Sequence, residues 1–377
     1  MWIDRIPTSN PEKLLKKGKV LALYGPRRTG KTSYIKKILE TQTSRIFQGT
    51  GDDIQVRDHI ASQNLSLINT SFSNYDIIFI DEAQRIPEVG WGLKLMIDHL
   101  PNTVIIVTGS SSFELPGQIG EPLTGRKKTM MMYPLAMMEI GQTLGNMTIQ
   151  QKLHEYLVYG TYPEVVTATT FEEKRAYLIE LRNDYLFRDI LELENIKNAS
   201  KLTDLLKLIA FQIGQEVSLN ELSNNLGIAK QTVERYLDLL EKSFVIKKVS
   251  GFSRNLRKEI VKTARYYFLD NGVRNAIINS FNDVNTRMDM GMLWENFCFA
   301  ERLKKQSYHE LHVNNYFWRT YDRQELDLVE EKDDQLWGYE FKWGTRKKPK
   351  APKAWTDNYP NASFKAITPE NFMEFVL

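Results

Sequence analysis

Glycine, lysine and threonine near the start of the chain have the spacing of a loop that binds phosphate groups. The stretch "VLALYGPRRTGKT" runs from an apolar segment into Gly25, Gly30, Lys31 and Thr32. It fits the pattern G-x-x-x-x-G-K-[ST] and lies between a predicted strand and a helical pattern, "SYIKKILE". Glycines let backbone N–H groups approach phosphates, and the positive end of the following helix dipole points at them. The residues predicted to bind the nucleotide are Gly25, Pro26, Arg27, Arg28, Thr29, Gly30, Lys31, Thr32 and Ser33.

The chemistry of this loop would be nucleotide binding with a metal ion. Lys31 would reach the β- and γ-phosphates, and Thr32 would ligate Mg²⁺. Arg27 and Arg28 would contact the loop itself or a partner. The alternative, a glycine-rich turn that binds nothing, is disfavoured by the strand and helix on either side. ATP and Mg²⁺ are therefore the predicted cofactors.

Two acidic residues close an apolar strand further along the chain. "YDIIFIDEAQ" reads as a buried strand that ends in Asp81 and Glu82. Such acids are costly to bury unless they meet a cation or water. Asp81 would hold Mg²⁺ through water, and Glu82 would polarise the attacking water.

A third strand, "TVIIVTGSSS", ends in Thr108 and Ser110. Open α/β sheets bind ligands at the carboxyl ends of their strands, so both side chains would lie beside the γ-phosphate. The strands alternate with helical segments, which predicts a parallel sheet.

The order of five motifs resembles the AAA-type domain of a large bacterial and archaeal ATPase family. The motifs are "GPRRTGKT", "IFIDEAQ", "VTGSSS", "LTGR" and "MMYPLAMMEI". In that family a domain of unknown function lies C-terminal to the ATPase, and the resemblance covers nearly the whole chain. It implies an AAA+ sheet with the phosphate-loop strand near its centre. It also suggests Arg126 of "LTGR" as an arginine finger, and a structural ion pair is the alternative.

The middle of the chain has the pattern of a helix-turn-helix. Ser218 and Glu221 form a predicted capping box, and Gly227 makes the turn. "SFVIKKV" and "ARYYFLD" read as strands that could form a wing. The exposed side of the second helix would present Lys230, Gln231, Glu234 and Arg235, of which all but Glu234 suit DNA. A packing module between the flanking domains is the alternative.

Acidic and basic residues meet again in a predicted hairpin near the C-terminus. If the hairpin is symmetric about Asp333 and Asp334, Asp327 falls opposite Glu340. Alternation places Lys342 on the same face. Opposed like charges destabilise a hairpin unless Mg²⁺, or Lys342 alone, compensates them.

This hairpin resembles the restriction-endonuclease-like core, whose pattern is an acid followed by Glu-x-Lys on the next strand. The resemblance implies that Asp327 and Glu340 ligate a second Mg²⁺, that Lys342 orients water, and that Glu295 is an accessory acid. Whether such a fold would cleave nucleic acid stays open. The run "KWGTRKKPKAPKAW" adds basic residues between two tryptophans, which suits phosphate contacts with base stacking or, equally, a solvated loop with packed tryptophans.

Composition narrows the class of protein. The 377 residues are 42% hydrophobic and 26% charged, with a net charge of +3, which is ordinary for a globular chain. Its one cysteine, Cys298, suits a reducing cytosol. The sequence shows neither a membrane-spanning apolar run nor a secretory signal, so we expect a cytoplasmic protein without a membrane partner.

The predicted fold class is α/β, divided into four parts. Residues 1–145 are an AAA+ P-loop domain with a parallel sheet, and residues 146–205 a helical region. Residues 206–275 are a winged helix, and residues 276–377 an α/β restriction-endonuclease-like domain.

The leading hypothesis is an ATP-hydrolysing protein whose nucleotide state gates its C-terminal modules. The alternatives are a nucleotide-switched DNA-binding regulator with little turnover, and an ATP-regulated Mg²⁺-dependent nuclease. DNA or another nucleic acid, a protein, and further copies of the chain are the candidate partners.

Overall fold

A computed structural model of the protein describes residues 1–6, 14–110, 122–184, 199–253, 263–320, 322–344 and 349–377. Positions 345–348 of the predicted basic run lie outside these ranges. The chain divides into two compact units. The phosphate-loop unit comprises Asp4–Tyr133 and Lys242–Phe244, and the seven-stranded unit comprises Met1–Ile3, Pro134–Glu241 and Val245–Leu377.

The phosphate-loop unit is built on a five-stranded parallel sheet. Its strands are β1 (Val20–Tyr24), β2 (Ile46–Thr50), β3 (Ile77–Asp81), β4 (Val104–Gly109) and β5 (Lys127–Met131). Their order is β2-β3-β4-β1-β5, and every neighbouring pair is parallel. The predicted parallel sheet is confirmed, with the phosphate-loop strand β1 paired on both edges.

Helices cover both faces of this sheet. They are α1 (Lys31–Glu40), α2 (Ile54–Ala61), α3 (Leu65–Phe72) and α4 (Val89–His99). Successive side chains of a strand point to opposite faces, so β1 contributes to two cores. Leu21 and Leu23 join the core that includes Tyr34 of α1, whereas Val20 and Ala22 join the core beneath α2, α3 and α4. Burial on both faces explains why the inner strands are continuous apolar runs.

The seven-stranded unit begins with short helices. These are α5 (Met137–Leu144), α6 (Asn146–Gln151), α7 (Leu153–Tyr159), α8 (Pro163–Thr167), α9 (Phe171–Leu181) and α10 (Ala199–Phe211). Two further helices, α11 (Leu219–Leu226) and α12 (Lys230–Lys242), follow. Ser218 caps α11 by accepting the N–H of Glu221, and Gly227 ends it with a left-handed φ of 63°. The helices of the predicted helix-turn-helix therefore form where the sequence places them.

One mixed sheet runs through the rest of the unit. Its strands are β6 (Glu216–Val217), β7 (Ile246–Gly251), β8 (Ala264–Phe268), β9 (Asn314–Arg319), β10 (Glu325–Lys332), β11 (Gln335–Phe341) and β12 (Ser363–Ile367). The strand order is β12-β11-β10-β9-β7-β8-β6. Four helices accompany the sheet: α13 (Asn271–Ile277), α14 (Met290–Tyr308), α15 (Lys353–Asn358) and α16 (Phe372–Val376).

The strands expected to form a wing belong to this same sheet. Strand β7 pairs with β8 on one side and runs parallel to β9 on the other, with Ser250 opposite Tyr316 and Gly251 opposite Phe317. The boundary predicted between residues 275 and 276 thus separates strands that share one sheet. The four-part division and the winged-helix assignment stay predictions.

The C-terminal hairpin turns at Asp333 and Asp334, as predicted. Both residues have left-handed φ values, 49° and 61°, which match the twist of a two-residue hairpin turn. Lys332 pairs with Gln335, and the ladder continues to Leu328 and Tyr339. The pairing of β10 with β9 shifts between Leu326 and Val329. Such a bulge re-aims the side chains at that point, which includes Asp327.

A buried ion pair fixes the segment that follows the phosphate-loop unit in sequence. The Lys304 Nζ lies 2.6 Å from Glu301 Oε1 and donates to Leu135 O at 3.0 Å and Thr161 Oγ1 at 2.9 Å. Glu301 Oε2 accepts the N–H of Met137 at 2.7 Å. Burial raises the pKa of Glu301, and the charge of Lys304 opposes the rise.

We expect Lys304→Met to destabilise the protein by about 3–5 kcal/mol, because it leaves the Glu301 carboxylate buried without its partner. The matched control is Lys365→Met, which breaks an exposed pair with Glu374 and should cost about 1 kcal/mol or less. Urea unfolding followed by circular dichroism measures both. Equal midpoints for the two variants would contradict the structural role of the buried pair.

Among the described residues, no helix is both long enough and apolar enough to span a bilayer.

Candidate nucleotide-binding site

The loop between β1 and α1 is held against the end of β5. Met132 N donates to Tyr24 O at 2.8 Å, which extends the pairing of the two strands to the edge of the loop. Gly25 follows with φ 148°, and a Cβ on Gly25 would lie 2.1 Å from Met132 O. Gly30 has φ 89° and caps the start of α1. The first glycine is therefore required by close backbone approach, and the second by left-handed geometry.

Three hydrogen bonds fix the shape of the loop. Thr29 Oγ1 donates to Pro26 O at 2.9 Å. The Arg5 guanidinium donates to Thr29 O at 2.9 Å and to Tyr133 O at 2.7 Å. The sequence analysis missed Arg5, which lies 24 residues from Thr29 and carries no motif of its own. Arg5 joins the loop to the last residue before Pro134.

Lys31 is buried beneath this loop. Its Nζ donates to Gly25 O at 2.9 Å and to Pro26 O at 2.8 Å. Burial lowers the pKa of Lys31 to about 8, and the charges of Glu82 and Asp81 oppose that shift. The ammonium thus lies in the concavity of the loop, in the surroundings where a phosphate group would be its strongest partner.

Thr32, Asp81 and Thr108 meet at the carboxyl edge of the sheet. Thr32 Oγ1 donates to Asp81 Oδ2 at 2.8 Å, and Thr108 Oγ1 donates to Asp81 Oδ1. Mg²⁺ prefers a few protein oxygens completed by phosphate and water oxygens. The hydroxyl of Thr32 and the carboxylate of Asp81 supply such oxygens side by side, so the residues present fit Mg²⁺ bound with a nucleotide.

Glu82 and Ser110 are brought together by a residue that the sequence analysis missed. Glu82 has a left-handed backbone, φ 49° and ψ 41°, and a single turn of 3₁₀ helix (Ala83–Arg85) follows it. That turn carries Gln84 back, so that its Nε2 donates to Glu82 Oε2 and, at 3.1 Å, to Ser110 Oγ. The sequence "DEAQ" contains Gln84, but the hydrogen bonds of Gln84 with Glu82 and Ser110 depend on the 3₁₀ turn.

The remaining residues of the predicted nucleotide site lie on the loop and on the first turn of α1. Pro26 is buried, Arg27 is half-buried, and Arg28 is exposed with φ 58°. Ser33 is exposed on α1.

Arg126 lies at the amino ends of the strands, whereas these residues lie at the carboxyl ends. It precedes β5, and its carbonyl accepts the N–H of Val20 at the start of β1, whereas the phosphate loop follows the end of β1. A five-residue parallel strand, which is about 13 Å long, separates the two edges. Arg126 forms an ion pair with Asp98, in which both side chains are partly exposed. A role for Arg126 at the γ-phosphate of another copy stays a prediction.

The C-terminal residues predicted to hold a second Mg²⁺ each have another partner. Lys342 lies 2.7 Å from Glu340, and the N–H of Phe341 donates to Asp327. Glu295 accepts the hydroxyl of Tyr267 at 2.7 Å. Within the described ranges, no group of three or more His, Cys, Asp or Glu side chains is placed to hold a metal ion. A second Mg²⁺ held by Asp327 and Glu340 stays a prediction, and we derive no reaction step through one.

The tryptophans of the basic run are packed against other aromatic side chains, which is the alternative to base stacking given in the sequence analysis. Trp355 is fully buried among Phe252, Trp318 and Tyr359. Trp343 lies against Trp294. Because its faces are covered, Trp355 has no surface on which a nucleic-acid base could stack.

This sheet and loop define an AAA-type P-loop domain. Residues 17–141 match the model of an AAA domain, which assigns this part of the chain to that domain class. Residues 150–284 match a domain of unknown function (DUF8612), and residues 290–370 match another domain of unknown function (DUF4143). The chain therefore joins an N-terminal AAA domain to the C-terminal domain that the sequence resemblance led us to expect.

Similar proteins occur in bacteria and archaea and are described as uncharacterized. One from Mycobacterium tuberculosis is 26% identical over 332 residues, which is 87% of this chain and 71% of that protein. One from Haemophilus influenzae is 25% identical over 84% of this chain and 80% of its own length. One from Methanocaldococcus jannaschii is 24% identical over 82% and 72%, respectively.

A solved structure described as the structural basis for katanin self-assembly is also similar, with 21% identity and a TM-score of 0.23. The match covers 42% of this chain and about half, 53%, of that one.

We expect Gly25→Ala to weaken ATP binding more than tenfold, because its Cβ would meet the Met132 carbonyl and displace the loop. Gly125→Ala is the matched control, because Gly125 also has a positive φ, 74°, but lies outside the proposed nucleotide site. A Cβ there meets nothing within 4 Å, so the variant bears only the cost of a left-handed alanine, about 1–2 kcal/mol. Calorimetric titration with ATP compares the two, and equal affinities would contradict the close-approach argument.

Proposed function

We propose that the protein binds and hydrolyses ATP with Mg²⁺, and that its nucleotide state gates the seven-stranded unit. The observation that carries this proposal is the arrangement of Lys31, Thr32, Asp81 and Thr108 at one edge of the sheet. A buried ammonium, two hydroxyls and a carboxylate at the start of a helix suit a polyphosphate and its metal.

Each group of residues has a distinct role in this proposal. The loop backbone and Lys31 bind the phosphates, while Thr32 and Asp81 would hold Mg²⁺, which neutralises charge that develops on the phosphate oxygens. Glu82 orients and deprotonates the attacking water. Gln84 holds the Glu82 carboxylate in place against Ser110 at the end of β4.

The course of the chain supports gating. Gly25 lies against Met132, and Arg5 binds both the loop and Tyr133, so a shift of the loop is felt at the end of the phosphate-loop unit. The next residues, Leu135 and Met137, are held by the buried pair of Lys304 and Glu301 in the seven-stranded unit. A short, anchored connection transmits a displacement better than a flexible linker does.

Two substitutions should separate ATP binding from hydrolysis. Lys31→Ala should weaken ATP binding at least about tenfold, because a charge-assisted hydrogen bond contributes about 1.5–3 kcal/mol. Glu82→Gln should bind ATP normally but hydrolyse it about 10²–10⁴-fold more slowly, since it removes the general base. The control is Lys36→Ala, which removes an exposed lysine from the same helix.

Binding is measured by calorimetry and turnover by phosphate release. Unchanged turnover in Glu82→Gln would remove Glu82 from its assigned role. Normal ATP binding by Lys31→Ala would contradict the proposed site itself.

A second candidate function is nucleic-acid binding that responds to the nucleotide. The observation that favours it is the exposed side of α12, where Lys230, Gln231 and Arg235 face solvent together with Glu234. This surface offers two positive charges and one amide, which suit phosphates and base edges. The neighbouring wing strand β7 is paired on both edges, so α12 would make the principal contact.

We expect the double variant Lys230→Ala, Arg235→Ala to reduce the salt dependence of duplex binding. The slope of log K against log salt should become less negative by about 2. The control double variant, Lys16→Ala with Lys17→Ala, removes the same charge from an exposed site elsewhere and should leave the slope unchanged. Fluorescence anisotropy measures duplex binding by both double variants. Each is measured in the ATP-loaded Glu82→Gln background and in the Lys31→Ala background, so that the effect of the nucleotide is seen. Binding that ignores salt would leave α12 with a packing role only.

A further inference from the structure

The C-terminal acids surround an arginine that the sequence analysis did not single out. Arg265 lies on β8, and its side chain is only 5% exposed. Its Nη1 lies 3.6 Å from Glu295 Oε1 and 3.6 Å from Asp327 Oδ1, and its Nη2 donates to Glu325 Oε2 at 2.9 Å. One guanidinium therefore contacts carboxylates from α14 and from two positions of β10.

Several carboxylate oxygens of this cluster face donors or positive charge of the chain itself. Asp327 directs Oδ1 toward Arg265, and its Oδ2 accepts the N–H of Phe341 at 2.8 Å. Glu295 Oε1 accepts from Tyr267 and faces Arg265. A divalent cation would have to displace a fixed positive charge, a backbone N–H or a buried hydroxyl to reach these oxygens.

The guanidinium of Arg265 is also packed against an aromatic ring. Its guanidinium stacks over the ring of Phe317 on β9, 4.6 Å from the ring centroid. Burial opposes its charge, but Tyr267, Glu295 and Asp327 raise the pKa of Arg265 above its ordinary value. A guanidinium stays charged at every physiological pH, so this positive charge is permanent.

Burial disfavours the charge of these acids even with the guanidinium beside them. Burial raises the pKa of Asp327 to about 6, and burial followed by the charge of Asp327 raises the pKa of Glu295 well above its ordinary range. Like charges that share a buried site repel one another, and a cation is the usual remedy. Lys342 provides only part of it: its charge opposes the rise in the pKa of Asp327, but its ammonium contacts Glu340 at 2.7 Å.

We infer that Arg265 occupies the place that a divalent metal ion would take in this acidic cluster. The protein carries this cation as part of its own chain. Because Arg265 belongs to β8 and its partners belong to β10 and α14, the cluster fastens the strands that follow the helix-turn-helix to the C-terminal strands. The cluster then needs no metal ion, and it acts as a structural link within the seven-stranded unit rather than as the metal site of a nuclease.

Charge compensation has a specific signature in denaturant unfolding. Arg265→Met keeps much of the side-chain volume and removes the charge, so it should lower the urea midpoint. Adding Glu295→Gln and Asp327→Asn to that variant should restore most of the loss, because the acids that needed the cation are then neutral. The control is Arg319→Met alone and with Glu216→Gln. These residues form an ion pair between β9 and β6 in which the arginine is 40% exposed, and both controls should shift the midpoint little.

If Arg265→Met shifts the midpoint no more than Arg319→Met does, or if neutral partners restore nothing, the inference is wrong. These measurements need no nucleotide, so their failure is independent of the proposed ATPase function.

A second experiment keeps the inference testable if Arg265→Met does not fold. Nucleotide-free wild-type protein is stripped with EDTA, titrated with Mn²⁺ in a calorimeter and incubated with DNA and RNA in the presence of Mn²⁺. We expect Asp327→Asn to bind the same amount of Mn²⁺ as the wild type, and neither protein to degrade either nucleic acid. Mn²⁺ binding or nucleic-acid cleavage that Asp327→Asn abolishes would overturn the assignment of Arg265.

Discussion

Charge that is removed from water must meet opposite charge or hydrogen-bond donors, and this constraint shapes three parts of the protein. At the phosphate loop, buried Lys31 is held by loop carbonyls near Asp81 and Glu82. On α14, Lys304 is held by Glu301 and by two oxygens from residues far away in sequence. In the seven-stranded sheet, acids surround Arg265. The first of these sites suits exchange of partners with a ligand, since backbone carbonyls are easily replaced by phosphate. In the other two sites the charge is paired with oppositely charged side chains of the protein, which suits permanent structure.

The sequence predicted what short-range patterns can specify. Apolar runs, the spacing of Gly25, Gly30 and Lys31, and the pair Asp81–Glu82 act within a few residues, so the sheet and the nucleotide loop could be read directly. The hairpin at Asp333 was predictable for the same reason.

Contacts that cross long stretches of chain could not be predicted in this way. Arg265 and Glu325 are 60 residues apart, and Lys304 and Leu135 are 169 apart. Asp327 was predicted to share a metal with Glu340, and this stays a prediction, but the sequence did not reveal that Asp327 faces Arg265 while Glu340 contacts Lys342. An arginine inside an apolar strand such as "ARYYF" was nevertheless a usable signal, because a buried guanidinium needs carboxylates nearby.

The parallel pairing of β7 with β9 has a consequence for biosynthesis. A ribosome releases β7 and β8 well before β9, so the nascent chain carries the end of β7, at Ser250 and Gly251, without its pairing partner until residues near Tyr316 emerge. Open strand edges of this kind attract other chains. The middle of the protein is thus exposed to misassociation for the time taken to translate the residues between these strands, and a truncated product that ends before β9 would keep that edge open.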